Sequence, residues 1–512
     1  MNENNNKTTE NQYGAAIFFL CLLIYGLTNY GGIRSPDAEI VFRSAESFAT
    51  EKTLSVSKPI EFMEEFGLAK AQDGKTYPVF GPLQSIVASP LVNLAEAVSN
   101  HHPEPEYAVP ISHYYKNGLT NLIQHQSPSS KKPHVKRMVI SYFNAMITSL
   151  CVLLFWFLCG KFTSNIAARL LTVFIFAFAT PVWQYSSTFF SEPLTMLFTM
   201  MSFYLLIPNK NDSGAIGRTS MSGLFLGLAT ATHISAILFA PFFFLLAILQ
   251  KGKPVRENLL KTGTFFSIGF SLILAILAAY NYSRFGNILE TGRTVAPELV
   301  DKLGYGRFVA PFEGLYGLLF GSSKGLLLLA PIIILSFFGW RHFHRDNRLI
   351  SFTIIAMSVF RLLFIASRSD WSGGFCLGPR YLLCLLPFLI LPLTVFLTHL
   401  IEEAQAKKLL LILGIFLLAV FQQIYFALGE IFLFSHLVKF ALLEQNPTDW
   451  LNLLQSDWRY SPLIRLHEVE LLPHLLRNIS ESFALWSIVL VMLVSLPLIF
   501  TLFVDYKRAD KL

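Results

Sequence analysis

The feature that most constrains this chain is a succession of apolar runs, each about long enough to cross a bilayer. They fall near residues 14–33, 138–159, 165–181, 190–207, 261–281, 325–341, 349–367, 381–400, 407–434 and 483–505. A helix rising about 1.5 Å per residue needs about 20 apolar residues to cover a hydrocarbon core of about 30 Å. The runs make the 512-residue chain 53% hydrophobic and only 14% charged, a balance that excludes an ordinary soluble domain. The expected fold class is an all-α polytopic membrane protein. The formal charge of +7 is scattered rather than gathered in a stripe, which excludes a nucleic-acid reader.

One further run, 220–249, is too long for a single crossing. As one helix it would reach about 45 Å, and its interior, GLATATHISA, is polar enough to form a turn. Charge decides between one crossing and two. With residues 1–13 in the cytoplasm and two crossings over 220–249, the short inside loops hold Lys161, Lys210, Arg218, Lys251, Lys253, Arg256, Arg341, Arg345, Arg348, Lys407 and Lys408. That distribution satisfies the positive-inside rule, and a single crossing breaks it. About twelve transmembrane helices are therefore expected, with both ends inside. A catalytic membrane domain is expected over 14–434, with a long first outer loop at 34–137 that contains interfacial helices. An outer loop over 435–482 and a last span with its tail over 483–512 complete the chain. The inside loops are short connectors, so function belongs on the outer face. The basic stretch PSSKKPHVKR falls in the long loop, which is exempt from the charge rule.

Familiar soluble-enzyme chemistry is missing. There is no Walker loop, GxSxG elbow or dinucleotide fingerprint. Cys21, Cys151, Cys159, Cys376 and Cys384 form no CxxC pair and read as small buried hydrophobes. His101, His102, His113, His125 and His134 crowd the first loop without a metal-ligand spacing, so no metal site and no cofactor are expected; a divalent ion is not indicated.

Chemistry-bearing residues collect at the outer ends of the spans. In RSPDAEIVFRSAESF, Ser35 suits a helix N-cap, Pro36 the first helical position, and Asp37 the first turn against the helix dipole. That local account of Asp37 is complete without catalysis. Glu39, two residues on, points to another face. YPVFGPLQSIVASPLV, broken by proline and glycine, reads as an interfacial helix. Arg284 in YNYSRFGNILETG and Lys324 in GLYGLLFGSSKGLLLLAP sit at span ends, where they either snorkel to headgroups or meet a lipid-borne phosphate. Arg380, in DWSGGFCLGPRYL, lies on the outer side, where an orientation signal does not explain it. Ligand contact does.

These motifs, in this order and with the long loop only after the first helix, resemble the GT-C class of integral-membrane glycosyltransferases. The likeness is to the protein O-mannosyltransferase and lipid A aminoarabinose transferase branch, over most of 14–382. It rests on SPDAEIVFR, YPVFGPLQS, TPVWQYSSTFFSEPL, GLFLGLATATHIS, YNYSRFGNILETG, GLYGLLFGSSKGLLLLAP and WSGGFCLGPRYL. It implies a transferase moving a sugar from a polyprenyl-phosphate-linked donor to an acceptor hydroxyl on protein, lipid or glycan. The transfer would occur on the extracytoplasmic side of a bacterial inner (plasma) membrane. It further implies Asp37 as catalytic base, Glu39 as a second acid, and Arg380, Lys324 and Arg284 as donor-phosphate cations. Relatives often carry arginine where this chain has His233.

The alternative expectation is a transporter or lipid flippase. Such proteins place charges inside spans and show internal repeats. Here Arg361 is the exception among nearly uncharged spans, and no repeat is evident. A polysaccharide polymerase or ligase, a third possibility, would place its cations in 435–482.

Overall fold

The computed structural model describes residues 2–57, 59, 65–99, 135–208, 215–249, 255–296, 307–445, 453–455, 457–468, 472–480 and 482–509. The first half holds α1 (Asn2–Leu27), α2 (Pro36–Glu51), β1 (Leu68–Lys70), β2 (Thr76–Pro78), α3 (Leu83–Ser99), α4 (Val135–Ser141), α5 (Phe143–Cys159), α6 (Ile166–Phe178), α7 (Glu192–Leu206) and α8 (Ala215–Thr232). The second holds α9 (Ala240–Ile248), α10 (Thr264–Phe285), α11 (Phe312–Phe320), α12 (Ile333–Asp346), α13 (Arg348–Ala366), α14 (Leu386–Glu402), α15 (Ala406–Leu428), α16 (Ile431–Gln445) and α17 (Phe483–Ala509). The polytopic all-α class is borne out, since each apolar run is largely helical, whole or in two pieces. Among the described residues, 6 helices are long and apolar enough to cross a membrane, and four shorter apolar helices accompany them.

The 220–249 run does break where its polar centre lies. Helix α8 stops at Thr232, His233 adopts an extended conformation (φ −144, ψ 116), and a 3-10 turn over Ile234–Phe239 leads into α9. A broken helix frees backbone carbonyls that lipid cannot satisfy. Arg361 of α13 meets this need: its Nη1 donates to Ser235 O (2.9 Å), its Nη2 to Ser235 Oγ (3.0 Å) and its Nε to Tyr381 O (2.9 Å). The intramembrane charge that could have marked a transporter is thus a buried staple between the 3-10 turns Ile234–Phe239 and Arg380–Leu385.

Other details depart from expectation. Residues 325–341 are not one helix: Leu326–Leu329 and α12 are separate, with Pro331, which has no N–H to continue the ladder, between them. The 407–434 run likewise divides at Gly429, and α16 carries helix into the region read as an outer loop. A small antiparallel hairpin, β1 with β2 in the register Leu68↔Pro78, stands among the helices and starts the YPVFGPLQS segment. Ser35 occupies the N-cap position of α2 with extended backbone, but its side chain makes no capping bond.

The core is a continuous apolar cluster running through α1, α5, α6, α7, α14 and α15, with Trp156, Trp183 and Phe203 fully enclosed. In contrast, the span Val255–Phe285 is only 17% buried and presents Ile268, Leu272 and Ile276 outward, a face suited to lipid.

Candidate active site

Helix α2 starts at Pro36, which places Asp37 in its first turn, facing a cleft of about 610 Å³. The far wall is Arg380, whose Nη1 lies 2.8 Å from Asp37 Oδ2. Its Nε lies 3.6 Å from Glu192 Oε1, beyond hydrogen-bond reach. Both Arg380 Nε and Glu192 Oε2 are buried without a hydrogen-bond partner. Unsatisfied buried groups at a cleft wall are where a polar ligand can bind. The Arg380 guanidinium is also flanked by the Phe190 and Tyr381 rings, 4.8 and 5.1 Å from their centroids.

The local chain paths explain this convergence. Gly373 has φ +71, and a Cβ there would meet Arg380 Cγ at 2.8 Å, so the glycine pair lets the loop fold onto the arginine stem. Gly81 lies so close to the end of α8 that a Cβ would meet Thr232 O at 2.3 Å. This contact brings YPVFGPLQS against His233. Gln84 Nε2 donates to Phe189 O (2.9 Å) and Asn144 Nδ2 to Phe190 O (2.8 Å), fixing the strip that precedes Glu192.

A second space of about 440 Å³ adjoins the cleft, sharing Val79, Phe80, Gly81, Ser191, His233 and Arg293 with it. It contains Arg284, which stacks on Tyr280 (3.8 Å) and donates to Asn281 Oδ1 (2.8 Å) and, more weakly, to Pro78 O (3.4 Å). Arg293, half-buried, faces both spaces and has no ion pair or hydrogen bond among the described residues. His233 Nδ1 lies 2.8 Å from Ser235 Oγ, and its ring is 5.8 Å from that of Tyr381.

Of the five site residues expected from sequence, Asp37 and Arg380 meet in the cleft and Arg284 lines the adjoining space. Glu39 and Lys324 line neither. Glu39 is fully buried and accepts from Arg137 Nε (3.0 Å), Arg137 Nη2 (2.7 Å) and Arg43 Nε (2.8 Å). Burial alone would raise its carboxyl, but the Arg137 and Arg43 guanidiniums outweigh that and hold it below the usual glutamate range. Arg137 and Lys136, which bridges Glu46 and Glu96, end the basic PSSKKPHVKR stretch. That cluster therefore ties α4 to α2 and α3.

Lys324 spends its ammonium on Gly374 O and Cys376 O, both 2.6 Å away, with Cys376 Sγ at 3.2 Å, so it staples the loop carrying Arg380. Burial moves its pKa below the usual lysine value. His101, His102, His113, His125 and His134 lie outside the described residues. Sequence reasoning missed Glu192 and Arg293. The FSEP start of α7 resembles the SPD start of α2, a signal that could have flagged Glu192. Nothing local distinguishes Arg293.

The sequence profile of the family described as "Dolichyl-phosphate-mannose-protein mannosyltransferase" matches residues 111–285. Among solved structures, ArnT from Cupriavidus metallidurans bound to undecaprenyl phosphate superposes with a TM-score of 0.50 at 12% identity. That alignment covers 95% of this chain and 76% of ArnT. The Archaeoglobus fulgidus oligosaccharyltransferase in its apo form gives a TM-score of 0.48 at 12% identity, over 88% of this chain and 60% of that one. No curated protein sequence matches the chain. The resemblance to the GT-C class read from the sequence is borne out, and the chain shares the polytopic fold of ArnT.

Proposed function

We propose that this multi-pass, glycosyltransferase-type membrane protein transfers a sugar from a polyprenyl-phosphate-linked donor to an acceptor hydroxyl, with Asp37 as the general base. The observation that carries this reading is one carboxylate–guanidinium cleft joined to a cationic space. Asp37 and Arg380 face each other at 2.8 Å, and Arg284 and Arg293 stand next door. Support for the lipid-linked donor comes from the profile match and from ArnT, which was solved with undecaprenyl phosphate bound.

An acceptor hydroxyl becomes a competent nucleophile when a positioned carboxylate takes its proton. The Asp37 oxygen receives that proton while the acceptor oxygen bonds to the anomeric carbon. The bond from that carbon to the phosphate oxygen breaks, and its electron pair leaves on the lipid phosphate. A base opposite the leaving group inverts the anomeric centre, by analogy with inverting glycosidases.

Arg293, with no ion pair or hydrogen bond among the described residues, is the cation best placed to receive the phosphate charge, with Arg284 behind it. Arg380, engaged by Asp37 and close to Glu192, orients the base. The lipid-facing span Val255–Phe285 ends beside Arg284, so a donor tail has a path along it. Such a donor is presented on the extracytoplasmic face of the membrane. Glu39 and Lys324 have no part in the chemistry.

The test is release of polyprenyl phosphate from host-derived polyprenyl-phosphate sugars by the protein in nanodiscs. Asp37→Asn is expected to lower turnover by about 10²–10⁴-fold, the usual range for a lost general base. Near-normal turnover by a folded Asp37→Asn variant would sink the assignment.

A further inference from the structure

Phe190 also lines another cavity, whose empty space, open solvent included, is about 410 Å³. The Phe190 ring forms a wall common to it and the cleft, with the Arg380 guanidinium 4.8 Å and the Phe432 ring 5.9 Å from its centroid. A narrower space joins the two, sharing Ala38 and Phe189 with the cleft and Arg34 and Thr188 with the cavity. The cationic space around Arg284 and Arg293 shares no lining residue with this cavity. Three compartments therefore stand in order, with Asp37 in the middle one.

The cavity's charges are arranged unusually. Arg34 and Glu430 both face it, yet no ion pair joins them. Arg34 Nε is buried without a partner, and among the described residues the guanidinium otherwise meets only Tyr30, with a 3.5 Å contact from Nη2 to its carbonyl and its ring centroid 5.8 Å away. Glu430 is buried, with Oε2 accepting from Leu433 N at 2.8 Å. An arginine and a glutamate side chain that share a cavity without touching leave a gap for a ligand that can accept from one and donate to the other. Ser187 and Thr188 add hydroxyls whose protons go to Gln184 O and Tyr185 O, which leaves lone pairs to accept. Phe190 and Phe432 supply an aromatic wall for an apolar face.

We infer that this cavity is the acceptor subsite and that it takes a neutral, polyhydroxylated glycan whose hydroxyl reaches Asp37 around Phe190. A sugar hydroxyl both donates and accepts, so one ring can bridge Arg34 and Glu430 while its C–H face packs on an aromatic ring. A compartment that shares no wall with the cationic space keeps acceptor and phosphate apart, as an inverting displacement needs. The inference rests on the reading of Asp37 and the lipid-phosphate donor given above.

The experiment uses the full chain in nanodiscs, probed separately with undecaprenyl phosphate and with a panel of neutral short oligosaccharides, negatively charged oligosaccharides and uncharged serine/threonine peptides. Saturable binding of at least one neutral oligosaccharide is expected. Arg34→Ala and Glu430→Gln should each weaken it at least fivefold while changing undecaprenyl-phosphate affinity less than twofold. Ser187→Leu, which fills the cavity without removing a charge, should do the same and covers the case in which a charge variant fails to fold. Binding of peptides or charged glycans alone, no saturable oligosaccharide binding, or indifference of that binding to all three variants overturns the subsite. Failure of the wild-type protein to bind undecaprenyl phosphate overturns the donor reading instead.

Discussion

Replacing Arg137 by alanine separates an anchoring role for Glu39 from a chemical one. The Glu39 side chain has no exposure, and Arg137 supplies two of its three hydrogen bonds, at 2.7 and 3.0 Å. Arg43 holds the remaining bond at 2.8 Å but also donates to Pro59 O at 2.6 Å, so it cannot take over both oxygens. Breaking a buried pair from one side leaves an uncompensated charge and costs about 3–5 kcal/mol. Replacing both partners by apolar residues, Glu39→Leu with Arg137→Met, removes the charge with its counter-charge and should recover most of that loss.

The readout is the fraction of protein in nanodiscs surviving a heating series, combined as a double-mutant cycle. Acidity adds a signed check. Because the folded Glu39 carboxyl titrates below its ordinary value of 4.5, the pair contributes fully above that pH and is lost as pH falls through the depressed value. Wild type should therefore keep this contribution unchanged between pH 7 and 5 and lose it only in strong acid, whereas Arg137→Ala, whose Glu39 is left to the upward pull of burial, should gain stability on mild acidification. Two results refute the reasoning: a cost below about 1 kcal/mol, the value of an exposed pair, or a Glu39→Gln variant that keeps its heat resistance but loses sugar transfer.

Arg293→Ala, which removes the one cleft cation with no protein partner among the described residues, should weaken undecaprenyl-phosphate binding at least tenfold and leave heat resistance unchanged; equal affinity would return the phosphate to Arg380. Gly373→Ala adds a Cβ at positive φ against the Arg380 stem, a strain of about 1–2 kcal/mol. It should cut turnover more than it lowers heat resistance, and normal turnover would show that the Arg380–Asp37 geometry is not critical.

Much of the architecture was legible without coordinates. Apolar length and helical period locate spans because lipid forces each crossing segment to satisfy its own backbone hydrogen bonds. The break at GLATATHISA could be read for the same reason, since polar side chains and a length beyond the bilayer are local facts. So was Asp37 at the head of a helix, where Pro36 and the first-turn carboxylate suffice. The subdivisions at Pro331 and Gly429 were less visible, because the runs around them remain apolar whether or not the helix continues.

Tertiary structure alone decided which charges are available. Lys324, Arg284, Arg293 and Arg380 look alike in the sequence, as cations near span ends. What separates them is the position of partners distant in the chain. Carbonyls of Gly374 and Cys376 consume Lys324, Asp37 takes Arg380, and Arg293 has no ion pair among the described residues. Glu39 shows the same dependence: two residues from Asp37, it is turned inward to Arg137 and removed from the cleft. Sequence therefore determined where helices start, cross and break, since those depend on near neighbours and on the solvent. The fold determined which ionisable groups can meet a substrate, since a hydrogen bond or ion pair depends on distances of a few ångströms between residues far apart in sequence.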